Sequence, residues 1–160
     1  LSIRRQRQMC IRDRIMGAPC SGKSTYAAEN AKGNDIIVDM DRIALALAVA
    51  GTQDFEYSEP IRNIARQARP AIVKGALLAG QGERNLGVWV IHTDPSPQDR
   101  QMYRAMNCKF VELDPGKDVC LARAKQRPEA NRKVSEKVIA EYYQKRTNRV
   151  ASTMADSSIT

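Results

Sequence analysis

The sequence has one histidine, few cysteines and no long apolar run. Its four cysteines form no C-x-x-C pair and do not cluster with His92, so the sequence predicts neither a zinc site nor a disulfide framework. The longest apolar run, residues 43–50, is far shorter than the roughly 18 to 20 residues that cross a bilayer. We therefore expect a cytoplasmic protein with no membrane span, and 160 residues are enough for one domain.

The charge of the chain is unevenly distributed. The formal net charge is +8, but five arginines and one aspartate lie within residues 1–14, and without them the charge falls to +4. One interpretation of this segment is a basic arm. However, residues 4–14 read as the translation of a sequencing-library adapter, so we interpret residues 1–14 as a non-native segment. We therefore do not infer nucleic-acid binding from the basicity.

From residue 15 onward, apolar runs alternate with helical patterns, which is typical of parallel strands joined by crossover helices. We predict strands at residues 15–16, 35–38, 88–91 and 109–113. We predict helices over residues 23–32, 41–50, 118–126 and 134–146, one that starts at Pro60, and one that ends near residue 106. Pro70 should bend or split the helix in which it lies. The sequence therefore predicts an α/β domain over residues 15–149, followed by a disordered tail over residues 150–160.

Residues 17–24, GAPCSGKS, fit the pattern G-x-x-x-x-G-K-[ST] of a phosphate-binding loop, or P-loop. The glycines let backbone N–H groups and a helix N-terminus face phosphates, while Lys23 adds positive charge and Ser24 a hydroxyl for Mg²⁺. The motif follows an apolar pair and opens a helical pattern, as a P-loop requires. It predicts ATP and Mg²⁺ as cofactors. The residues that we expect to bind the nucleotide are Gly17, Ala18, Pro19, Cys20, Ser21, Gly22, Lys23, Ser24 and Thr25.

Asp39, Asp41 and Arg42 follow the second predicted strand, where an open parallel sheet presents ligand-facing residues. A carboxylate there could accept a proton from an attacking hydroxyl, and Arg42 could hold an anionic substrate group. Alternatively, Asp41 caps the next helix and Asp39 only ends the strand. The residue pattern therefore gives two candidates for a catalytic base.

Asp94 follows the third predicted strand, two residues after His92. It would face the P-loop from a neighbouring strand, so we predict that it binds Mg²⁺ or its waters. The alternative is that Asp94 caps the next helix. We expect His92 to be a packed residue rather than a catalyst.

Two sets of arginines could contact phosphates. Arg123 and Arg127 lie four residues apart before a loop, and arginines on such a lid can stabilise a migrating phosphoryl group. Arg62, Arg66 and Arg69 share one face of a predicted helix and could line a groove for a polyanionic substrate. Solvent-exposed helix arginines are the alternative for both sets.

These motifs together resemble the P-loop kinase family that contains the phage 5′-hydroxyl polynucleotide kinases, and related small phage and bacterial ATPases of the AAA type. The similarity covers about residues 15–147, and its points are the P-loop, the D-x-x-R of residues 39–42, the polar patch of residues 92–94, and an R-x-x-x-R. The resemblance implies that Asp39 is the general base and Arg42 a substrate-phosphate ligand. It also implies that Arg123 and Arg127 bind nucleotide phosphates. His92 is a departure, since these kinases tend to have an acidic residue there.

The element order and the resemblance together imply a three-layer P-loop NTPase fold. We expect a parallel sheet of four or five strands in an order near 2-3-1-4, with helices on both faces. We predict a monomeric kinase that transfers phosphate from ATP to a hydroxyl acceptor, such as a nucleic-acid 5′ end. The alternatives are a kinase of a nucleoside, nucleotide or other small molecule, and a nucleotide-dependent ATPase or accessory protein. In this fold the charges of residues 12–14 would lie in a buried strand, where unpaired ions are costly.

Overall fold

Strands and helices alternate along the part of the chain that the computed structural model describes, which is residues 12–54, 56–83 and 85–156. The strands are β1 (Arg12–Met16), β2 (Ile36–Val38), β3 (Val88–His92) and β4 (Lys109–Glu112). The helices are α1 (Lys23–Asn30), α2 (Met40–Leu47), α3 (Glu59–Gly82), α4 (Pro97–Ala105), α5 (Lys117–Ala124) and α6 (Glu129–Asp156). This alternation confirms the predicted α/β class.

The four strands form a parallel sheet in the order β2-β3-β1-β4. In its register, Ile15 of β1 lies beside Ile91 of β3 on one side and Val111 of β4 on the other. Because β1 has a neighbour on each side, it is a central strand, and the loop that follows it opens at the middle of the sheet edge. The observed order is the one predicted from the sequence.

Alternate side chains of the sheet face two layers of helices. On one face, Val88 and Val90 of β3 pack against α3 and α4. On the other face, Trp89 and Ile91 of the same strand pack against Ala27 of α1. Helices α5 and α6 pack against each other in a further cluster that reaches the loop after β1. The helices therefore cover both faces, which confirms the predicted three-layer arrangement.

Helix α3 continues through Pro70 without a break. Splitting of this helix, one of the two outcomes expected for Pro70, is therefore wrong. Ala65 before the proline is buried, and so are Val73 and Leu77 after it. Packing on both sides thus offsets the cost of a proline in a helix interior, about 3 kcal/mol or more from the lost hydrogen bond and the clash of the ring together.

Helix α6 extends further than the sequence pattern indicates, both before residue 134 and after residue 146. It continues to Asp156, through part of the segment predicted to be a tail, and residues 157–160 lie outside the described residues. Residues 1–11, most of the segment interpreted as non-native, also lie outside them. Although α3 and α6 are long, no helix in the described ranges is both long and apolar enough to cross a membrane.

Strand β1 places two charged side chains inside the molecule. Asp13 is buried and Arg14 is 0% exposed. The Arg14 guanidinium lies over the ring of Tyr103 at 4.0 Å, and its Nη2 donates to the Cys108 sulfur at 3.3 Å. Its Nε and Nη1 have no hydrogen-bond partner in the described part of the chain. Burial raises the pKa of Asp13 and lowers that of Arg14, as expected for ions taken out of water.

Candidate active site

The loop between β1 and α1 takes a shape that depends on glycine at two positions. Gly17 has a φ of +148° and Gly22 a φ of +96°, which residues with side chains rarely adopt. A Cβ atom at Gly17 would also collide with the carbonyl oxygen of Leu113, just after β4. The chain therefore curls tightly here, and α1 begins directly after the loop at Lys23.

Lys23 lies folded over this loop. Its ammonium group donates to the carbonyl oxygens of Gly17 at 2.9 Å and Ala18 at 2.6 Å. Burial lowers the pKa of Lys23 to about 8, and the nearby Asp39 carboxylate opposes that shift. In the same loop, the buried hydroxyl oxygen of Ser21 has no hydrogen-bond partner among the described residues. A flexible cation and an unpartnered hydroxyl therefore line one site, and both are groups that a phosphate oxygen could contact.

Asp39 joins the P-loop to the start of α2. Its Oδ2 accepts a hydrogen bond from the Ser24 hydroxyl at 2.8 Å, and its Oδ1 accepts one from the backbone N–H of Asp41 at 3.3 Å. Asp39, which is 8% exposed, is thus the N-cap of α2, and the alternative in which Asp41 caps this helix is wrong. The cap leaves one carboxylate oxygen directed at the P-loop.

Asp41 is held by a residue that no sequence motif marks. The hydroxyl of Tyr57, in the segment between α2 and α3, donates to Asp41 Oδ1. Burial is the main cause that raises the pKa of Asp41, and the hydrogen bond from Tyr57 opposes it. The only signal for Tyr57 in the sequence is its position as one of two aromatic residues in the polar segment 52–59.

The end of β3 presents His92 toward α3 and α4. His92 Nε2 lies 3.3 Å from Arg69 Nη1, and Nδ1 lies 3.4 Å from the Tyr103 hydroxyl. Burial, followed by the charge of Arg69, lowers the pKa of His92 to about 4. The imidazole is therefore neutral near pH 7, and its contacts are those of a packed residue.

Asp94, two residues beyond β3, forms ion pairs with two arginines. Its Oδ1 lies 3.1 Å from Arg100 Nη2 and 3.6 Å from Arg149 Nη1. The cap of the following helix α4 is Ser96, so the alternative role for Asp94 as that cap is wrong. Its carboxylate lines the cleft described below.

The two lid arginines occupy the end of α5 and the turn after it. Arg123 Nη1 donates to the carbonyl oxygen of Cys20 in the P-loop at 3.1 Å. Arg127 Nη1 donates to the Ser135 hydroxyl on α6 at 3.0 Å. After burial, the charge of Arg127 also contributes to the lowered pKa of Lys23. The lid helices therefore bring both guanidinium groups to the side of the site that holds the P-loop.

These groups line one cleft of about 1210 Å³. The cleft brings together most of the predicted site residues: Pro19, Cys20, Ser21, Gly22, Lys23, Ser24, Thr25, Asp39, Asp41, Asp94, Arg123 and Arg127. Three predicted residues do not line it: Gly17, Ala18 and Arg42. Gly17 and Ala18 contribute the carbonyl oxygens that accept hydrogen bonds from Lys23. Arg42 is exposed on α2. Arg62, Arg66 and Arg69 of α3 line the cleft as well.

Residues of this chain match a known protein family, and its fold is similar to that of solved structures. A family model described as an AAA domain matches residues 15–148. A chain in the structure of the Pnkp1/Rnl/Hen1 RNA repair complex superimposes with a TM-score of 0.52 at 18% identity, over 90% of this chain and 49% of that one. A chain in a structure of the Pnkp1/Rnl/Hen1 complex gives 0.47 at 18% identity, over 71% and 39%. No curated protein matches.

The chain spans about half the length of the first of these solved chains, and at this identity the likeness shows the fold. It confirms the P-loop NTPase fold predicted from the sequence. The family model covers most of the sequence, including the P-loop and the lid arginines. This chain therefore belongs to the AAA domain family.

Proposed function

We propose that this protein is a kinase that transfers the γ-phosphoryl group of ATP to a hydroxyl acceptor. The observation that carries the proposal is the 2.8 Å hydrogen bond between the P-loop Ser24 and the carboxylate of Asp39. It sets a group that can accept a proton directly beside a loop that can hold phosphates. Transfer to a hydroxyl requires these two groups in one cleft.

The residues of the donor side suit a nucleotide with Mg²⁺. Lys23 would exchange its two carbonyl partners for phosphate oxygens, and Arg123 would reach the same phosphates from the lid. The unpartnered Ser21 hydroxyl supports such a ligand. Ser24 would bind Mg²⁺, and Asp94 would hold the ion or its waters. When bound, Mg²⁺ would neutralise charge that develops on the phosphates.

Asp39 is the proposed general base. It is the carboxylate in contact with the P-loop, whereas the hydrogen bond from Tyr57 holds Asp41 further along the cleft. Asp39 would accept the proton of the attacking hydroxyl as the new phosphorus–oxygen bond forms and the bond to ADP breaks. Arg127 would stabilise the charge on the migrating group.

The test is transfer of labelled γ-phosphate from ATP, with Mg²⁺, to an oligonucleotide with a 5′-hydroxyl end. We expect labelling that Lys23→Ala abolishes and that Asp39→Asn reduces by at least about 100-fold, the usual contribution of a positioned base. ATP binding by Asp39→Asn should be unchanged. Full activity of Asp39→Asn would remove the base assignment.

The acceptor class is read from the same assay. Labelling of nucleosides, nucleotides or other small molecules instead of the oligonucleotide would indicate a small-molecule kinase. ATP binding by a folded sample without any transfer would contradict the kinase proposal and indicate a nucleotide-dependent ATPase or accessory protein.

A further inference from the structure

Three arginines on one face of α3 line the cleft, and we name Arg62, Arg66 and Arg69 the α3 arginine row. They lie four and then three residues apart, a spacing that aligns side chains along a helix. At 1.5 Å of rise per residue the row is about 10 Å long. The kinase chemistry proposed above gives these three cations no role.

A chain of contacts leads from the P-loop through the two carboxylates to this row. Ser24 contacts Asp39, and Asp39 accepts from the backbone N–H of Asp41. Asp41 in turn accepts from Tyr57, and the ring of Tyr57 lies 5.5 Å from the guanidinium carbon of Arg62. The carboxylates therefore lie between the P-loop and the first arginine of the row.

The far end of the row is fixed to the sheet. Arg69 Nη2 donates to the carbonyl oxygen of Ile91 at 2.8 Å, and Nη1 contacts His92 at 3.3 Å. A carbonyl dipole and a neutral imidazole do not cancel the charge of the guanidinium. Packing thus holds this cation at the end of the central strands with its charge available to an anion.

The other two arginines share a single carboxylate. Arg62 and Arg66 lie 2.7 Å and 3.4 Å from oxygens of Glu59, whose side chain is 57% exposed. One exposed glutamate neutralises at most one of the two, and such surface pairs are weak. The row as a whole therefore carries excess positive charge.

We propose that the α3 arginine row binds phosphate groups that the acceptor itself carries. This inference rests on the proposed kinase function, because it places the acceptor hydroxyl at Asp39 and the rest of the acceptor along α3. The resemblance to known kinases gives this role to Arg42, but Arg42 is exposed on α2 and does not line the cleft. A row about 10 Å long is longer than one phosphate group, so an acceptor with several phosphates fits it best.

Binding without ATP tests this site separately from catalysis. The probe is a 5′-hydroxyl hexathymidylate with fluorescein at its 3′ end, and the readout is fluorescence anisotropy at several salt concentrations. The double variant Arg62→Gln/Arg66→Gln should raise Kd at least about tenfold, since hydrogen bonds to charged groups are lost. It should also reduce the slope of log Kd against log salt by about 1.4, which is roughly 0.7 for each phosphate contact to a single strand.

Lys74→Gln is the matched control. Lys74 is an exposed cation on the same helix and does not line the cleft, so its removal should leave Kd and the salt slope unchanged. Unchanged binding by the double variant would overturn the proposal. An equal loss in Lys74→Gln would also overturn it, because it would indicate general attraction to a basic surface.

Competition with unlabelled compounds shows whether the site binds a nucleoside, a single phosphate group or an oligonucleotide with several phosphates. Unlabelled thymidine should not displace the probe, whereas thymidine 3′-monophosphate and unlabelled hexathymidylate should, in that order of increasing strength. Displacement by thymidine as strong as by the hexamer would contradict a phosphate site. If the arginine row is needed for binding but no labelled phosphate is transferred, the phosphate site stands and the kinase function is rejected. Failure of this site and failure of the kinase function are therefore distinguishable.

Discussion

Arg14 is the residue whose environment fits its chemistry least well. Its side chain is fully buried in the central strand, and two of its nitrogens lack partners within the described ranges. The ring of Tyr103 and the sulfur of Cys108 are weak substitutes for water. The residue therefore lowers the stability of the cluster that contains Tyr103 and Cys108.

We expect Arg14→Leu to raise the free energy of unfolding by about 1 to 4 kcal/mol, the range of stabilisation found when buried ion pairs are replaced by apolar residues of similar volume. Urea unfolding at pH 7 measures the change. Arg104→Leu, at an exposed position of α4, is the control and should shift stability by no more than about 0.5 kcal/mol. A less stable Arg14→Leu protein would show that the contacts of the guanidinium outweigh its desolvation.

At the scale of single elements, the N-cap residue of α2, Asp39, also contacts the P-loop. The carboxylate of Asp39 caps the helix with one oxygen and contacts Ser24 of the P-loop with the other. One side chain thus carries a structural and a proposed catalytic role. Substitutions that preserve the cap can separate the two.

The free energy of unfolding of Asp39→Asn should lie within about 0.5 kcal/mol of the wild-type value, because asparagine caps helices about as well as aspartate. Asp39→Ala should lower the free energy of unfolding by about 1 kcal/mol, the usual effect of removing an N-cap side chain. Thermal or urea unfolding of both variants measures this difference. Equal losses of stability would show that the bond to Ser24, rather than the cap, holds α2 in place.

At the scale of the whole molecule, stability should depend on pH through His92. Its pKa is about 4 in the folded protein and about 6.5 in an unfolded chain. The unfolded state therefore binds more protons between these values. His92 contributes stability that is fully present above about pH 6.5 and is lost as the pH falls toward 4.

We expect this group to account for a loss of about 2 to 3 kcal/mol between pH 6.5 and pH 4. His92→Gln keeps a polar side chain beside Arg69 but cannot become charged in this range. Urea unfolding as a function of pH should therefore show a flatter curve for the variant than for the wild-type protein. Parallel curves would assign the acid sensitivity to other groups.

The sequence predicted those parts of the molecule that depend on local chemistry. The P-loop was found because its glycines and Lys23 must lie at fixed spacing. The α/β class followed from the alternation of apolar runs and helical patterns, and the strand order from the element order together with the family resemblance. Pro70 was misjudged in part, because burial of Val73 and Leu77 is a tertiary effect. The length of helix α6 was underestimated because its ends are polar and give no periodic apolar signal.

The parts of the site that could not be predicted depend on contacts between distant residues. Tyr57 reaches Asp41 across sixteen positions of the sequence, and no local pattern marks such a contact. The position of Arg42 outside the cleft depends on which face α2 turns toward the sheet. The opposite case is the α3 arginine row, whose shared face followed from helical spacing alone.

The two carbonyl partners of Lys23 have a consequence for ligand selection. An anion that draws the ammonium group toward it replaces contacts of 2.9 Å and 2.6 Å with contacts to its own oxygens. Because the attraction to the ammonium group grows with the charge of the anion, a polyanion gains more from that exchange than a monoanion. The loop therefore favours ligands that bring several negative charges to Lys23 over ligands that bring one.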